Sequence, residues 1–387
     1  MIRQPTSTDS RPAEREPGAT RVRFRHRYRA TGAVPTSGRP HRAEWADAAK
    51  GVCIILVVLW HVVVKDYLQI DWHIGVPVPG LWGTVGEQFL PLRMPLFFTI
   101  SGVFAANAVQ RPWRVVARSR IAGFLYLYAV WLLIHTAVLA AAPDFPTDRA
   151  TSALGLLEQL TITPSNLWYL YALALYFTVA KVLRRAPRVL VLVPAAALSA
   201  VAAAGLLDTP GNRAGLYQNL IFFLAGLYLR PQIEWWAATA TRRRLVLTSG
   251  AYVLALAAMA ALGAQRWFGV WPAVSVVAVA FGVTAAAQLG RWPAASGRLA
   301  TLGRITLPIY VIHMPVLALL HRLLGPVCGL DQVGRGLLVL GYPVLLTGLV
   351  IGVSLAIHRG LLAAHARWLF ALPGDRRTAP RRVEAAG

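Results

Sequence analysis

Cysteine and acidic residues are scarce in this chain. Its 387 residues include two cysteines, Cys53 and Cys328, too few for a disulfide framework or a zinc cluster, and we treat both as structural thiols. Asp and Glu total 16 against 39 Lys and Arg, and charged residues make up only 14% of the chain. A Gly-rich phosphate loop, a metal-ligand spacing and a Gly-x-Ser-x-Gly motif are also missing. These absences argue against a soluble cofactor-binding fold, and we expect no bound cofactor or metal.

Hydrophobic residues dominate the composition. They make up 56% of the sequence, and the mean hydropathy is +0.52, which is typical of a polytopic membrane protein. Ten apolar segments could each cross about 30 Å of hydrocarbon as a helix. They lie at about 48–65, 89–108, 121–142, 165–183, 188–207, 214–229, 245–263, 269–289, 302–323 and 335–357. The sequence therefore predicts an all-α fold with about ten transmembrane helices.

The basic residues follow the positive-inside rule. The formal net charge is +23, but the arginines lie in the tails and between the apolar segments, which does not resemble a nucleic-acid-binding face. Every even-numbered connection between predicted spans is basic, whereas the odd-numbered ones carry the acids. We therefore predict that both termini are cytoplasmic, that the protein is a multi-pass protein of the plasma membrane, and that it binds no nucleic acid.

The chain divides into three predicted regions. Residues 1–43 are rich in arginine and have no apolar core, so they are not a signal peptide and are expected to form a disordered cytoplasmic tail. Residues 44–358 form the ten-helix membrane domain. Residues 359–387 form a basic cytoplasmic tail.

The first predicted span contains ionisable residues at costly positions. His61 lies inside an apolar run, where an ionisable side chain faces a bundle interior or a water-filled cavity and is a candidate functional residue. Lys50 precedes it by eleven residues, which puts both on nearly the same helix face, about 16 Å apart. Asp47 lies within about 40° of that face. The alternative is structural: Asp47 caps the helix, Lys50 snorkels and His61 bonds a neighbouring carbonyl.

Other predicted spans also carry polar residues. The guanidinium of Arg93 is permanently charged and needs a carboxylate, phosphate, carbonyl or water partner, unless the side chain snorkels to the outer interface. Tyr310 and His313 lie one turn apart on one face, where the alternative role is a plain interhelical hydrogen bond. His135 has no polar companion at helical spacing, and we interpret it as structural.

The longest predicted outer loops place aromatic residues beside acids. These loops lie at about 66–88, with Trp72, His73 and Trp82, and at 143–164. Such surfaces would suit a polyhydroxylated acceptor. The alternative is the ordinary aromatic belt of a membrane protein.

The candidate residues lie in blocks whose order resembles a known family. The segment from Asp47 to His61, followed by RMPLFFTISG at 93–102, resembles the paired signature of the acyltransferase family 3 membrane proteins, specifically the branch similar to fucose 4-O-acetylases. Later blocks of the family are matched in order by NLWYL at 166–170, FFLAG at 222–226 and IYVIH at 309–313. The resemblance spans roughly residues 44–320, and the ordered set is more specific than any single block.

This resemblance implies both a fold and an activity. It implies ten transmembrane helices, an acyl-CoA donor, such as acetyl-CoA, on the cytoplasmic side, and acyl transfer to a hydroxyl of a carbohydrate or other cell-envelope acceptor. The essential histidine of the family falls on His61. Many members have arginine where this chain has Lys50, which keeps the charge and loses the planar fork. No fused extracytoplasmic hydrolase-like domain is apparent, so we expect the membrane part to act alone or with a partner.

These inferences define a candidate site. The predicted catalytic residues are His61, Asp47, Lys50 and Arg93, and the predicted substrate-binding residues are Ser101, Asn166, Trp168, Tyr310 and His313. His61 would act either as the general base or as a nucleophile that forms a transient acyl-imidazole. Arg93, with Tyr310 or His313, would orient a substrate or stabilise the oxyanion.

A different class of function competes with the enzyme. A transporter or flippase for an envelope precursor could use His61, Arg93 and His313 to line a polar path. The lack of repeat symmetry and the order of the blocks argue against it.

Overall fold

The computed structural model describes residues 44–70, 72, 78–209, 213–324 and 332–374, which are helical without any strand. The α-helices of these residues are α1 (Glu44–Lys65), α2 (Val78–Gln88), α3 (Leu90–Val109), α4 (Trp113–Val116), α5 (Gly123–Ala140), α6 (Ala153–Thr161), α7 (Trp168–Val182), α8 (Arg188–Ala203), α9 (Ala214–Gln218), α10 (Leu220–Tyr228), α11 (Arg230–Ala238), α12 (Arg242–Ala261), α13 (Val270–Leu289), α14 (Pro293–Arg304), α15 (Thr306–Leu324) and α16 (Gln332–Ala363). The predicted tail at 1–43, His73, Cys328 and residues 375–387 lie outside the described residues.

The described helices confirm an all-α polytopic membrane protein. By length and composition, seven helical stretches of the described residues could cross a membrane. They are Glu44–Gln69, Pro79–Val109, Trp113–Ala140, Arg242–Ala261, Val270–Leu289, Thr306–Leu323 and Leu338–Ala363. Three shorter apolar helices, Trp168–Val182, Arg188–Ala203 and Ala214–Tyr228, lie at the fourth, fifth and sixth predicted spans. The count of ten and the side of the membrane on which the termini lie stay predictions.

Helix α1 lies inside the bundle and carries the first candidate residues. It contacts α2, α3, α13, α14, α15 and α16. Small side chains, including Ala46, Ala49 and Cys53, are fully buried in these contacts and let the neighbouring helices approach closely. The stretch from Asp47 to His61 is therefore surrounded by protein over most of its circumference.

The structure adds a helix that the sequence did not predict. The predicted span at 302–323 begins inside α14, and the helix breaks at Ile305 before α15 starts. Helix α14 has no apolar run because only one of its faces, with Ser296, Ala300 and Gly303, is buried. It packs along the start of α1.

Two proline residues inside helices leave backbone carbonyls without their usual donor, and neighbouring side chains supply it. Pro315 has no N–H for the Val311 carbonyl, which instead accepts a hydrogen bond from His135 at 2.8 Å. Pro343 likewise frees the Val339 carbonyl, which the Tyr67 hydroxyl reaches at 3.0 Å. His135 therefore has the structural role that the sequence predicts.

Two glycines allow α3 and α10 to meet backbone to backbone. A Cβ on Gly102 would lie 2.0 Å from the Phe223 carbonyl oxygen, and one on Gly226 would lie 2.0 Å from that of Thr99. Both glycines end sequence blocks that carry the family resemblance. Their role here is close helix packing, which fixes the position of the α3 segment that bears Arg93 and Ser101.

Candidate functional site

Two histidines from distant parts of the chain meet in the interior of the bundle. His61 of α1 and His313 of α15 place Nδ1 and Nε2, respectively, 3.2 Å apart, with ring centroids separated by 5.1 Å. His313 is 2% exposed, whereas His61 keeps part of its surface accessible. Of the two residues, His61 is therefore the less buried.

The partners of His313 determine which nitrogens carry hydrogen. Its Nδ1 faces the carbonyl oxygens of Ile309 and Tyr310 at 3.1 and 2.7 Å. Carbonyls only accept hydrogen bonds, so in the neutral ring Nδ1 is protonated and Nε2 carries the lone pair. This lone pair accepts a hydrogen bond from His61 Nδ1, and we assign the free lone pair of His61 to Nε2. The pair thus holds His61 in the tautomer that a base or a nucleophile needs.

Arg93 is buried beside a small cavity. Its side chain is 6% exposed, and its guanidinium carbon lies 4.6 Å from the centroid of the Trp60 ring. The cavity, of about 60 Å³, is otherwise lined by apolar side chains of α1 and α2 and by Phe89. Among the described residues, no carboxylate lies within 4 Å of the guanidinium and no side chain or carbonyl hydrogen-bonds it. A buried guanidinium that no described residue pairs with would be stabilised by an anion or a polarised carbonyl in the cavity.

Asp47 and Lys50 form a separate group near the start of α1. The Lys50 ammonium lies 3.0 Å from Asp47 Oδ1 and 4.9 Å from the centroid of the Phe104 ring. Asp47 is 1% exposed and lies inside α1. Because each residue advances a helix by about 1.5 Å, Lys50 lies about 16 Å from His61 along the axis, so this ion pair does not touch the histidine pair.

Helix α14 holds the Asp47 segment in place. A Cβ on Gly303 would lie 1.7 Å from the Asp47 carbonyl oxygen, and one on Gly51 would lie 2.2 Å from that of Leu299. In both cases the obstacle is backbone, which cannot move aside as a flexible side chain can. The two glycines therefore set the distance between α14 and α1.

We expect Gly303→Ala to destabilise the protein by about 1–3 kcal/mol, because the new methyl group forces α14 away from α1. Gly297→Ala is the matched control, since it makes the same change in the same helix and its Cβ would meet nothing within 4 Å. The control should be neutral or slightly stabilising because alanine favours a helix. Thermal unfolding of both purified variants measures the difference, and equal unfolding temperatures would contradict the close contact.

The remaining predicted site residues form a hydrogen-bonded layer between α3, α7 and α15. The Ser101 hydroxyl lies 2.8 Å from that of Tyr169, and the Tyr310 hydroxyl donates to the Asn166 carbonyl at 2.9 Å and accepts from Tyr169 N at 3.2 Å. The Asn166 amide donates to Thr147 Oγ1 at 2.5 Å. The Trp168 ring contacts Phe98, with ring centroids 5.8 Å apart.

The comparison with known proteins decides the family. The acyltransferase family 3 model, described as an acyltransferase domain, matches residues 43–359. The chain belongs to acyltransferase family 3. An inner membrane protein of Escherichia coli strain K12, YcfT, is 28% identical over 156 residues, which are 36% of this chain and 44% of that protein. The chain thus matches less than half the length of this relative. No solved structure matches the chain.

In this acyltransferase family 3 chain, the structure brings together some of the predicted residues and separates others. His61 pairs with His313. Tyr310 lies near that pair, with its ring centroid 6.0 Å from that of His313. Asp47 and Lys50 form their own group. The sequence analysis did not single out Trp60, which contacts Arg93, or Tyr169, which lies within hydrogen-bond distance of Ser101. Both are aromatic residues directly beside a predicted site residue, His61 and Trp168, and that position was the signal that could have identified them.

Proposed function

We propose that this family 3 protein is an O-acyltransferase of the plasma membrane that moves an acetyl or similar group from acyl-CoA to a hydroxyl of a carbohydrate or other envelope acceptor. Family membership supports the acyltransferase activity. The donor, the acyl group and the acceptor belong to this proposal. The pairing of His61 with His313 is the observation on which the mechanism depends.

His61 is the proposed general base. Its Nε2 lone pair takes the proton from the acceptor hydroxyl while the hydroxyl oxygen attacks the thioester carbonyl carbon. The tetrahedral intermediate collapses, the carbon–sulfur bond breaks, and the CoA thiolate leaves and recovers the proton from the imidazolium. In the alternative, Nε2 itself attacks the thioester and carries the acyl group to the acceptor in a second step.

His313 is a positioning residue in this mechanism. Its Nε2 accepts from His61 Nδ1, which stabilises the tautomer with a free Nε2, and the carbonyls of Ile309 and Tyr310 fix its own ring. When His61 Nε2 receives a proton, the ring becomes a positively charged imidazolium, and the lone pair of His313 Nε2 stabilises it by accepting the hydrogen bond from His61 Nδ1.

Arg93 and Lys50 are proposed to act on substrate groups at different depths. The guanidinium of Arg93, which no described residue hydrogen-bonds, would bind a carbonyl or an anion that enters the adjoining cavity, and so stabilise the oxyanion or orient a substrate. Lys50, held by Asp47, lies near the end of α1 that we predict to face the cytoplasm, where an acyl-CoA donor would arrive. Substrate contacts of Ser101, Asn166, Trp168 and Tyr310 stay predictions.

Transfer of radiolabel tests the proposal. Purified protein in lipid nanodiscs is mixed with acetyl-CoA labelled in the acetyl group and with an envelope carbohydrate fraction. We expect label in the carbohydrate fraction or, without acceptor, slow thioester hydrolysis that needs His61. Label that stays on wild-type protein after denaturation by detergent at neutral pH, and that is missing from His61→Gln, would favour the acyl-imidazole route. If acetyl-CoA and longer acyl-CoA donors all stay intact, with and without acceptor, the proposed reaction is contradicted and the transporter alternative is open again.

A further inference from the structure

A basic cavity that is open to the protein surface lies where the C-terminal ends of α3 and α7 meet. Its volume is about 620 Å³, and four of the residues that line it are cations: Arg111, Lys181, Arg184 and Arg185. None of the described residues that line it is acidic. None of these four cations forms an ion pair with a described carboxylate.

The fold builds this cavity through a buried lysine. Lys181 is 5% exposed, and its ammonium donates to the backbone carbonyls of Val109 at 2.8 Å and Arg111 at 2.5 Å. These carbonyls lie at the end of α3, where helix carbonyls have no partner within the helix. Lys181 therefore ties the end of α7 to the segment after α3 and fixes Arg111 opposite Arg184 and Arg185.

Four like charges around one cavity repel one another unless an anion lies among them. Arg184 is partly exposed and Arg185 is exposed, so their guanidinium groups can reach a ligand. Guanidinium groups bind phosphate oxygens in a bidentate manner, which a lysine-only cluster cannot do. The lining therefore favours an anion over a neutral sugar, and a phosphate group, with its several acceptor oxygens, can bind more than one of these guanidinium groups at once.

The cavity also lies at the appropriate end of the bundle for a donor. Phe104, which contacts Lys50, and Val109, which binds Lys181, are five residues apart on α3, or about 7.5 Å along its axis. Arg93 lies sixteen residues before Val109, about 24 Å away. The basic cavity thus shares one end of α3 with the Asp47–Lys50 pair, and Arg93 lies toward the other end.

We propose that this cavity binds a phosphate-bearing anion through Arg111, Arg184 and Arg185. This inference rests on the proposed function for one of its two sources, the nucleotide phosphates of the acyl-CoA donor. The other source is the headgroup of an anionic phospholipid, because the exposed apolar side chains of Trp113 and Val182, which also line the cavity, could contact acyl chains. Both sources present the same phosphate chemistry to the three guanidinium groups.

Binding measured without turnover tests the site. The probes are radiolabelled adenosine 3′,5′-bisphosphate, with protein in phosphatidylcholine nanodiscs, and phosphatidylglycerol, counted by native mass spectrometry against phosphatidylcholine. The variant is Arg184→Gln with Arg185→Gln. The matched control is Arg242→Gln with Arg243→Gln, which removes the same charge from two exposed arginines of another predicted cytoplasmic connection.

We expect wild type to bind one of the probes, and the Arg184/Arg185 variant to bind it about tenfold or more weakly, since hydrogen bonds to charged groups are lost. The control should bind as wild type does. Loss of nucleotide binding identifies the donor as the source, and loss of phosphatidylglycerol binding identifies the headgroup. Arg185→Gln against Arg243→Gln replaces the double variants if either unfolds.

Two results would overturn the site: neither probe binds wild type, or both variants lose binding equally, which would reflect general surface charge. Acyl transfer does not enter this measurement. A protein that binds the nucleotide and never transfers an acyl group would contradict the proposed function alone, whereas active protein with unchanged binding in the Arg184/Arg185 variant would contradict only this inference.

Discussion

Replacing His61 with glutamine is expected to lower acyl transfer by about 10² to 10⁴-fold, the usual contribution of a general base, while folded yield and thermal stability stay near those of wild type. Glutamine keeps a hydrogen-bond donor and an acceptor of similar reach, so its amide can still bond His313 Nε2. It cannot take a proton at neutral pH. The same loss follows if His61 is the acyl-accepting nucleophile, because an amide nitrogen does not attack a thioester.

His135→Gln is the matched control for this experiment. It makes the same substitution in another buried histidine, and the glutamine amide can still donate to the Val311 carbonyl that Pro315 leaves open. Loss of one interhelical hydrogen bond costs about 0.6 kcal/mol on average, so a purely structural histidine predicts small, parallel losses of stability and activity. Transfer and thermal unfolding are measured on the same samples. Substantial transfer by a stable His61→Gln protein would remove His61 from the mechanism.

Helical periodicity predicted that Asp47 and Lys50 lie near one face of α1, although the ion pair between them was not predicted. Asp47 and Lys50 lie one turn apart and form an ion pair at 3.0 Å. Seven of the ten predicted apolar segments correspond to helical stretches that are long and apolar enough to cross a membrane. Apolar segments form helices in hydrocarbon because a helix satisfies the backbone polar groups within the segment itself.

The pairing of His61 with His313 could not be derived in the same way. The two residues are 252 positions apart, and their contact depends on how α15 packs on α1. Periodicity gives the face of each helix and says nothing about which face of which neighbour it meets. The sequence could identify both rings as costly at membrane depth, and only the packing shows that one of them directs the tautomer of the other.

Helix α14 illustrates a second limit. Its exposed residues include Arg298 and Arg304, so a search for long apolar segments passes over it, and the basic loop was interpreted only as a topology signal. Arg184 and Arg185 were interpreted the same way. An arginine that satisfies the positive-inside rule can also line a cavity. The sequence cannot show the second role, because the cavity forms only when the chain folds.

Replacing Arg93 with lysine is expected to lower kcat/KM for acyl transfer at least tenfold, or about 1.4 kcal/mol, with little change in stability. Lysine keeps the positive charge and can still lie over the Trp60 ring. It loses the planar fork that would hold a carbonyl or an anion in the adjoining cavity of about 60 Å³. The effect should therefore appear in catalysis and not in folding.

The chain contains a second arginine that lies over a tryptophan ring, and it provides the control. The guanidinium carbon of Arg244 lies 4.5 Å from the Trp236 ring centroid, and its Nη1 donates to the Trp236 carbonyl at 3.2 Å and to Thr239 Oγ1 at 2.9 Å. The protein therefore already binds the guanidinium of Arg244, whereas no described residue hydrogen-bonds that of Arg93. We expect Arg244→Lys to keep wild-type kcat/KM, with at most a small change in unfolding temperature. If Arg93→Lys turns over at the wild-type rate as well, Arg93 does not bind the reacting groups, and its charge has only the packing role that its contact with Trp60 provides.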